Sequence, residues 1–275
     1  MKLSVAIADQ AAPPSAFVVW RGFEDSMAKA AELGYQGVEL ALRRAEDATA
    51  ERLAGLLDRY GLEVSAISTG QVWSCDGLCL VHADGTVRGR AVAVLEGLIR
   101  LAGRFGRRVN IGRVRGQAAG VGSRAEAERM LVEALQRLAD TAGLLGVELV
   151  VEPVNRYEVD FLHTLDETAE VLARVERANV GLMADVFHMN IEEAQIGEAL
   201  IVHRRHLRYV HLADSNRRAP GWGHLDFADV FAGLRGANFD GWAAVEILPV
   251  PEPDEAARQA ARTLLPLIRQ HNSWR

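Results

Sequence analysis

Short apolar runs alternate with longer stretches of helical periodicity along the whole chain. In the first half, residues 3–8, 37–40 (GVEL), 62–68 (LEVSAIS) and 108–111 (RVNI) read as strands. Residues 23–33 read as a helix ended by Gly34. Residues 49–60 read as a helix with Leu53, Leu56 and Leu57 at core spacing, stopped by Gly61. Helical patterns also cover 87–105 and 124–145, the latter ended by Gly146. Residues 69–86, rich in Gly, Asp, Trp and His, read as a long loop, and 112–122 as a Gly- and Arg-rich one. The second half keeps the rhythm. Strands begin near Val147, Val180, Leu207 and Trp242, and helices fall near 166–176, 196–206, 226–236 and 254–270. Asp166, preceded by Leu165, is the expected N-cap of its helix.

Eight strands and eight helices in strict alternation predict a parallel sheet with right-handed crossovers. Eight such units in 275 residues fit a closed (β/α)8 TIM barrel of the α/β class better than an open doubly wound sheet. The first βα turn also lacks a G-x-G-x-x-G fingerprint. No linker or low-complexity segment divides the chain, so residues 1–275 are expected to form a single domain.

Composition narrows the picture only a little. An apolar content of 49% supplies a full core, and a net charge of −6 argues against a non-specific nucleic-acid binder. No apolar run reaches the length of about 20 residues that crosses a membrane. The N-terminal residues lack a secretory pattern, so a cytoplasmic location is the default expectation. Cys75 and Cys79 alone cannot supply the four ligands of a structural zinc site and read as free thiols.

The candidate chemistry stands at strand ends. Glu152 closes the run VELVV, Asp185 closes VGLMA, His211 closes LRYV and Glu246 closes WAAV. The intervals of 33, 26 and 35 residues match one strand–helix unit each. Consecutive parallel strands would therefore gather the four side chains at one end of the barrel, where such folds do chemistry. Each has a simpler reading alone: Glu152 paired with Arg156, Asp185 as an N-cap, His211 as a satisfied core histidine, Glu246 as an end-of-barrel charge. Their shared register makes four independent explanations poor. Three carboxylates and one imidazole form a hard donor set, which favours Mn²⁺, Mg²⁺ or Co²⁺ over Zn²⁺. Glu158, His188, Arg217, His224 and Asp226 lie at the same barrel end, and Trp20, Trp73 and Trp222 fall in strand-end loops where they could wall a pocket. Asp226 also reads as a plain N-cap.

The segments Glu-Pro-Val-Asn-Arg-Tyr-Glu at 152–158, Ala-Asp-Val-Phe-His-Met-Asn at 184–190, His-Leu-Ala-Asp-Ser-Asn-Arg at 211–217 and the stretch 221–227 resemble the sugar isomerases and epimerases of the xylose isomerase-like superfamily. The similarity is sharpest to the D-tagatose 3-epimerase and D-psicose 3-epimerase group. It implies one divalent metal, Mn²⁺ first and Co²⁺, Mg²⁺ or Zn²⁺ as alternatives, held by Glu152, Asp185, His211 and Glu246. It also implies Glu152 and Glu246 as the acid/base pair, and substrate contacts from Glu158, His188 and Arg217. The implied reaction is C3 epimerisation of a ketose through a cis-enediolate, by a homodimer or homotetramer acting on a small sugar. Arg113 and Arg115 are departures near the expected pocket rim and could meet a phosphate. A hydroxypyruvate isomerase or inosose dehydratase would share the ligands, although the Arg-Asp-x-Pro-Gly-Tyr run associated with the former is missing. An endonuclease IV-like phosphodiesterase would need more ligands and a basic groove. A non-catalytic sugar-binding barrel would need no acid/base pair.

Overall fold

A computed structural model of the chain describes residues 1–14, 16–105 and 108–274. The strands are β1 (Lys2–Ala8), β2 (Trp20–Arg21), β3 (Gly37–Ala41), β4 (Glu63–Ser68), β5 (Arg108–Ile111), β6 (Glu148–Val151), β7 (Val180–Asp185), β8 (Leu207–His211) and β9 (Trp242–Val245). All pairings between them are parallel. Strands β1 and β3 to β9 follow one another around the sheet, and β9 pairs back onto β1 through Lys2↔Trp242 to Val5↔Val245. The barrel is thus closed and has the expected (β/α)8 form. The two-residue β2 is an addition laid beside the end of β1.

The helices are α1 (Phe23–Glu32), α2 (Ala50–Tyr60), α3 (Gly70–Asp76), α4 (Gly85–Ala102), α5 (Arg124–Leu144), α6 (Leu165–Val175), α7 (Val186–Glu192), α8 (Ile196–Val202), α9 (Phe227–Gly236) and α10 (Pro253–Ser273). Local chemistry sets their ends. In α2, Leu53, Leu56 and Leu57 are buried, and Gly61 closes the helix at φ 64°, a left-handed conformation that costs glycine nothing. Each such buried leucine contributes roughly 1.5–3 kcal/mol. Asp84, Ser123 and Asp226 cap α4, α5 and α9 through their side-chain oxygens.

Four expectations need correction. Residues 69–86 are not a continuous loop: α3 occupies 70–76 and α4 begins at Gly85. The alternation is not strict, because α3 and α7 are short extra helices following β4 and β7. The N-cap of α6 is Thr164, whose hydroxyl accepts from Glu167 N, while Asp166 lies in the first turn and pairs with His203 at 2.9 Å. Helix α8 also stops at Val202 rather than reaching 206.

Side chains on successive strand positions face opposite sides. Ala66, Val150, Met183, Tyr209, Trp242 and Ala244 pack together as a small cluster apart from the main core. Four of these stand two residues before Glu152, Asp185, His211 and Glu246, so they form the layer directly beneath those side chains. The outer core lies between sheet and helices and holds most of the remaining aliphatic residues.

Candidate metal and active site

Four strands deliver three carboxylates and one imidazole to one point. Asp185 and His211 are the last residues of β7 and β8 and are direct register partners. Glu152 and Glu246 each follow the last residue of their strand. His211 Nδ1 lies 3.9 Å from Glu152 Oε1, 3.8 Å from Asp185 Oδ2 and 3.6 Å from Glu246 Oε2. Asp185 and His211 are buried with 1% and 0% exposure, and Glu152 with 7%. The candidate set is therefore brought together, and its other readings resolve individually. Arg156 pairs with Glu192 and not with Glu152. Asp185 does cap α7, but only with Oδ1, which accepts from Phe187 N at 2.8 Å.

Two of the converging atoms, Asp185 Oδ2 and His211 Nδ1, are buried without a hydrogen-bond partner. A buried polar atom left unpaired costs on the order of 1–3 kcal/mol. The two unpaired atoms lie 3.8 Å apart, and Glu152, Asp185 and His211 offer ligand atoms within 4.8 Å of one another. Hard oxygens with one imidazole and two unsatisfied donors suit a divalent cation.

The electrostatics show what holding these groups together without a cation does. Burial raises Glu152 to about 8; His211 opposes this, while Glu246 and Asp185 add to it. Burial also raises Glu246, against the pull of His211 and Arg217. Burial would lower His211, but Glu39, Glu246 and Asp185 outweigh it and raise it well above the usual imidazole value. Asp185 moves the other way, held low by His188 and His211 against its burial.

A second ring of polar residues surrounds the cluster. Arg217 donates Nη1 to Glu158 Oε1 and Nη2 to Glu246 Oε2, both at 2.9 Å. Its backbone takes φ 58°, unusual for a residue with a side chain, and Arg217 N donates to Asp214 O. His188 Nδ1 receives Asn155 Nδ2 at 2.7 Å and the Asn155 backbone N at 3.4 Å, which leaves Nε2 to carry the proton. Burial lowers His188 to about 4, so the ring is neutral near pH 7. Its Nε2 lies 3.6 Å from Asp185 Oδ2 and 3.8 Å from Glu152 Oε1. Glu158, His188 and Arg217 all line the pocket that opens over Glu152 and Glu246.

The two arginines of the 113–115 turn part company. Arg113 lines the pocket, 3.5 Å from Glu158 Oε2 and stacked near Phe17 and Trp73. Arg115 is 0% exposed and donates to the carbonyls of Gly112, Glu152, Phe161 and Leu162. It is a buried strut, not a phosphate ligand, and burial lowers it to about 10. Trp20 donates to Asp254, Trp222 lies by a surface hollow beside α10, and His224 bonds Ser215. The aromatic of the pocket is instead Phe17, over which Arg217 stacks at 3.7 Å.

Sequence reasoning passed over Glu39 and Asn110. Asn110 Nδ2 donates to Glu152 Oε2 at 3.0 Å. Glu39 Oε2 accepts from His211 Nε2 at 2.8 Å and from Tyr209 OH at 2.7 Å. The available signal was a polar residue flanked on both sides by apolar ones within a barrel strand, GVELA and RVNI.

Residues 27–267 match the xylose isomerase-like TIM barrel family. The chain is 33% identical over 226 residues to an L-ribulose 3-epimerase of Methylomonas sp. (strain DH-1), covering 80% of this chain and 76% of that protein. It is 30% identical over 235 residues to a ketose 3-epimerase of Arthrobacter globiformis, covering 82% and 79% respectively. A crystal structure of D-allulose 3-epimerase from Methylomonas sp. in complex with D-allulose superposes with a TM-score of 0.82 at 25% identity, over 98% of this chain and 97% of that one.

Proposed function

This chain belongs to the xylose isomerase-like TIM-barrel family, and from that premise we propose that it is a metal-dependent ketose 3-epimerase working as one domain. The observation that carries the reading is the convergence of Glu152, Asp185 and Glu246 on His211 Nδ1 at 3.6–3.9 Å. The epimerases to which the chain is similar supply the reaction class.

Glu152, Asp185, His211 and Glu246 would hold one divalent cation, with Mn²⁺ favoured and Co²⁺, Mg²⁺ or Zn²⁺ as alternatives, since three oxygens and one imidazole make a hard set. When bound, the cation supplies Lewis acidity that makes the C3–H of a ketose more acidic. Glu152 and Glu246 are the proton-transfer pair. One takes the C3 proton from one face of the sugar, and the other returns a proton to the opposite face of the planar cis-enediolate. Inversion at C3 follows.

Arg217 orients Glu246 through Nη2 and ties it to Glu158 through Nη1. Its charge also favours the developing oxyanion. His188 offers an Nε2–H to a sugar oxygen because Asn155 occupies Nδ1. Glu158 and Arg113 lie further along the pocket and would contact the sugar hydroxyls. The exposed Cys75 and buried Cys79, both free thiols, fit a reducing cytoplasmic setting. No helix among the described residues is long and apolar enough to cross a membrane. A homodimer or homotetramer is part of the same proposal.

The test is to incubate the metal-loaded protein with free ketoses in D₂O and follow C3 by NMR. Deuterium at C3 together with the C3 epimer of D-fructose, D-psicose, D-tagatose or L-ribulose supports the reading. Exchange at C1 with an aldose product would replace it with aldose–ketose isomerisation. Metal binding without exchange on any ketose would overturn it.

A further inference from the structure

Beneath the four converging side chains, and ending on one of them, His211, runs a line of three buried polar residues, Ser65, Tyr209 and Glu39, that the epimerase chemistry does not use. Ser65 Oγ lies 2.7 Å from Tyr209 OH, Tyr209 OH donates to Glu39 Oε2 at 2.7 Å, and His211 Nε2 reaches the same oxygen at 2.8 Å. All four residues are 0% exposed. They come from three strands, β3, β4 and β8, and cross the barrel interior. Ser65 is available because the register slips between Val38 and Glu39, which leaves it as the extra residue opposite β3.

Stability alone does not explain this line. A fully buried carboxylate is costly unless paired, and apolar side chains of similar volume usually fill such space at less cost. Among the described residues, His211 is the only ion-pair partner of Glu39. The directions of the bonds are fixed by elimination. A carboxylate oxygen only accepts, so Tyr209 donates its O–H and His211 its Nε2–H. Tyr209 then has only its lone pairs left for Ser65, whose single hydroxyl proton is shared between Tyr209 OH at 2.7 Å and the Val38 carbonyl at 3.2 Å. With Nε2 committed as donor, Nδ1 is the ring atom left facing Asp185 Oδ2, Glu152 Oε1 and Glu246 Oε2.

We propose that Glu39, itself held by Tyr209 and Ser65, is a positioning residue that fixes the ring orientation and tautomer of His211 and thereby sets the affinity of the site for a divalent cation. The inference rests on the metal reading given above. Glu39 does not touch substrate, and its effect passes through His211. An imidazole whose far N–H is bound by a carboxylate is both held in place and made a better donor at its other nitrogen. Tyr209 shares its strand and face with His211, two positions earlier, so one β8 segment supplies both the ligand and the anchor of its support.

Mn²⁺ affinity of the metal-stripped full chain, measured by calorimetry, tests the assignment, with ring ¹⁵N spectra of the Mg²⁺-loaded protein as a second readout. Glu39→Gln should weaken Mn²⁺ binding by roughly 10–100-fold. Tyr209→Phe should weaken it by a smaller factor, and the wild-type spectra should show a protonated Nε2 on His211. Circular dichroism separates these losses from misfolding. If Glu39→Gln fails to fold, Tyr209→Phe decides, and unchanged affinity in that variant overturns the proposal. Asp185→Asn is the control. Binding lost in Asp185→Asn but unchanged in Glu39→Gln overturns this inference alone. No Mn²⁺ binding by the wild type overturns the metal reading and this inference with it.

Discussion

Gly112 leaves empty the space into which Glu152 extends its carboxylate: a Cβ at Gly112 would stand 2.4 Å from Glu152 Oε2 and 3.2 Å from Asn110 Oδ1. Asn110 donates to that same Oε2. The glycine therefore belongs to the placement of the Glu152 carboxyl, proposed above as one of the proton-transfer pair, although it bears no functional group. Gly112→Ala should push Glu152 off its position. Displacement by about 1 Å is enough to lower kcat/KM by roughly 100-fold. Steady-state epimerisation assays on a variant with a wild-type circular dichroism spectrum check this, and unimpaired turnover would show the contact to be soft.

Glu246→Gln keeps the shape of the side chain and removes its proton-transfer ability. Turnover should fall by roughly 10²–10⁴-fold, the usual range for a general acid or base. The melting temperature should stay near that of the wild type, because Glu246 is the most accessible of the four, with its side chain 14% exposed. Near-normal activity would remove Glu246 from the acid/base pair.

Arg217→Lys should not rescue function. Lysine cannot span Glu158 and Glu246 at once, as the guanidinium does with two bonds of 2.9 Å. A loss in kcat of roughly 10²-fold is expected, comparable to the removal of one donor to a developing oxyanion. Glu158→Gln should act more on KM than on kcat. Measuring both constants for both variants separates the roles, and identical profiles would contradict them.

The metal-free protein should lose stability as pH rises from 6.5 to 8. Glu152 is raised to about 8 when folded, so the native state holds a proton that the unfolded chain has already released above its ordinary carboxylate value. Stability from that group is lost as pH climbs through 8. His211, also raised, acts with the same sign above the usual imidazole value of about 6.5. His188, lowered to about 4, acts with the opposite sign, but its window closes near pH 6.5. Bound cation removes the repulsion, so the metal-induced gain in melting temperature should grow with pH. Calorimetric scans with and without Mn²⁺ measure it, and a gain that shrinks toward pH 8 would contradict the assignment.

Arg115→Met should destabilise the fold by roughly 3 kcal/mol or more, since the carbonyls of Gly112, Glu152, Phe161 and Leu162 lose their donor. Urea titration reads the change. A variant as stable as the wild type would mean that water replaces the guanidinium.

Much of this site was legible because a parallel barrel imposes a register that survives in one dimension. Glu152, Asp185, His211 and Glu246 each end an apolar run, and one run per unit is a pattern that needs no coordinates. What hid from the pattern depends on contacts across the barrel. Glu39 sits inside a strand, and only the fold shows that it faces His211. Arg115 reads as surface charge until the 153–162 backbone closes over it. Helix α3 combines Gly70, Trp73, Ser74 and Cys75, which carry little helical propensity, and it persists through Gln71 and Val72, buried against the barrel. Thr164 and Asp166 are both acceptable caps by residue type, and Glu167, three residues after Thr164, was the cue that separated them.

The two oxygens of Asp185 are divided between tasks, Oδ1 anchoring the start of α7 and Oδ2 turned toward His211. Helix α7 carries His188 on its first turn. A replacement at 185 is therefore felt twice, once by the backbone that follows and once by the centre beside it. Asparagine would spare the anchor but not the charge, and glutamate the charge but not the reach. Drift at this position is confined to a narrower set of residues than either task would impose alone, and a lineage that abandoned the chemistry would still inherit pressure to keep the aspartate for the sake of the helix.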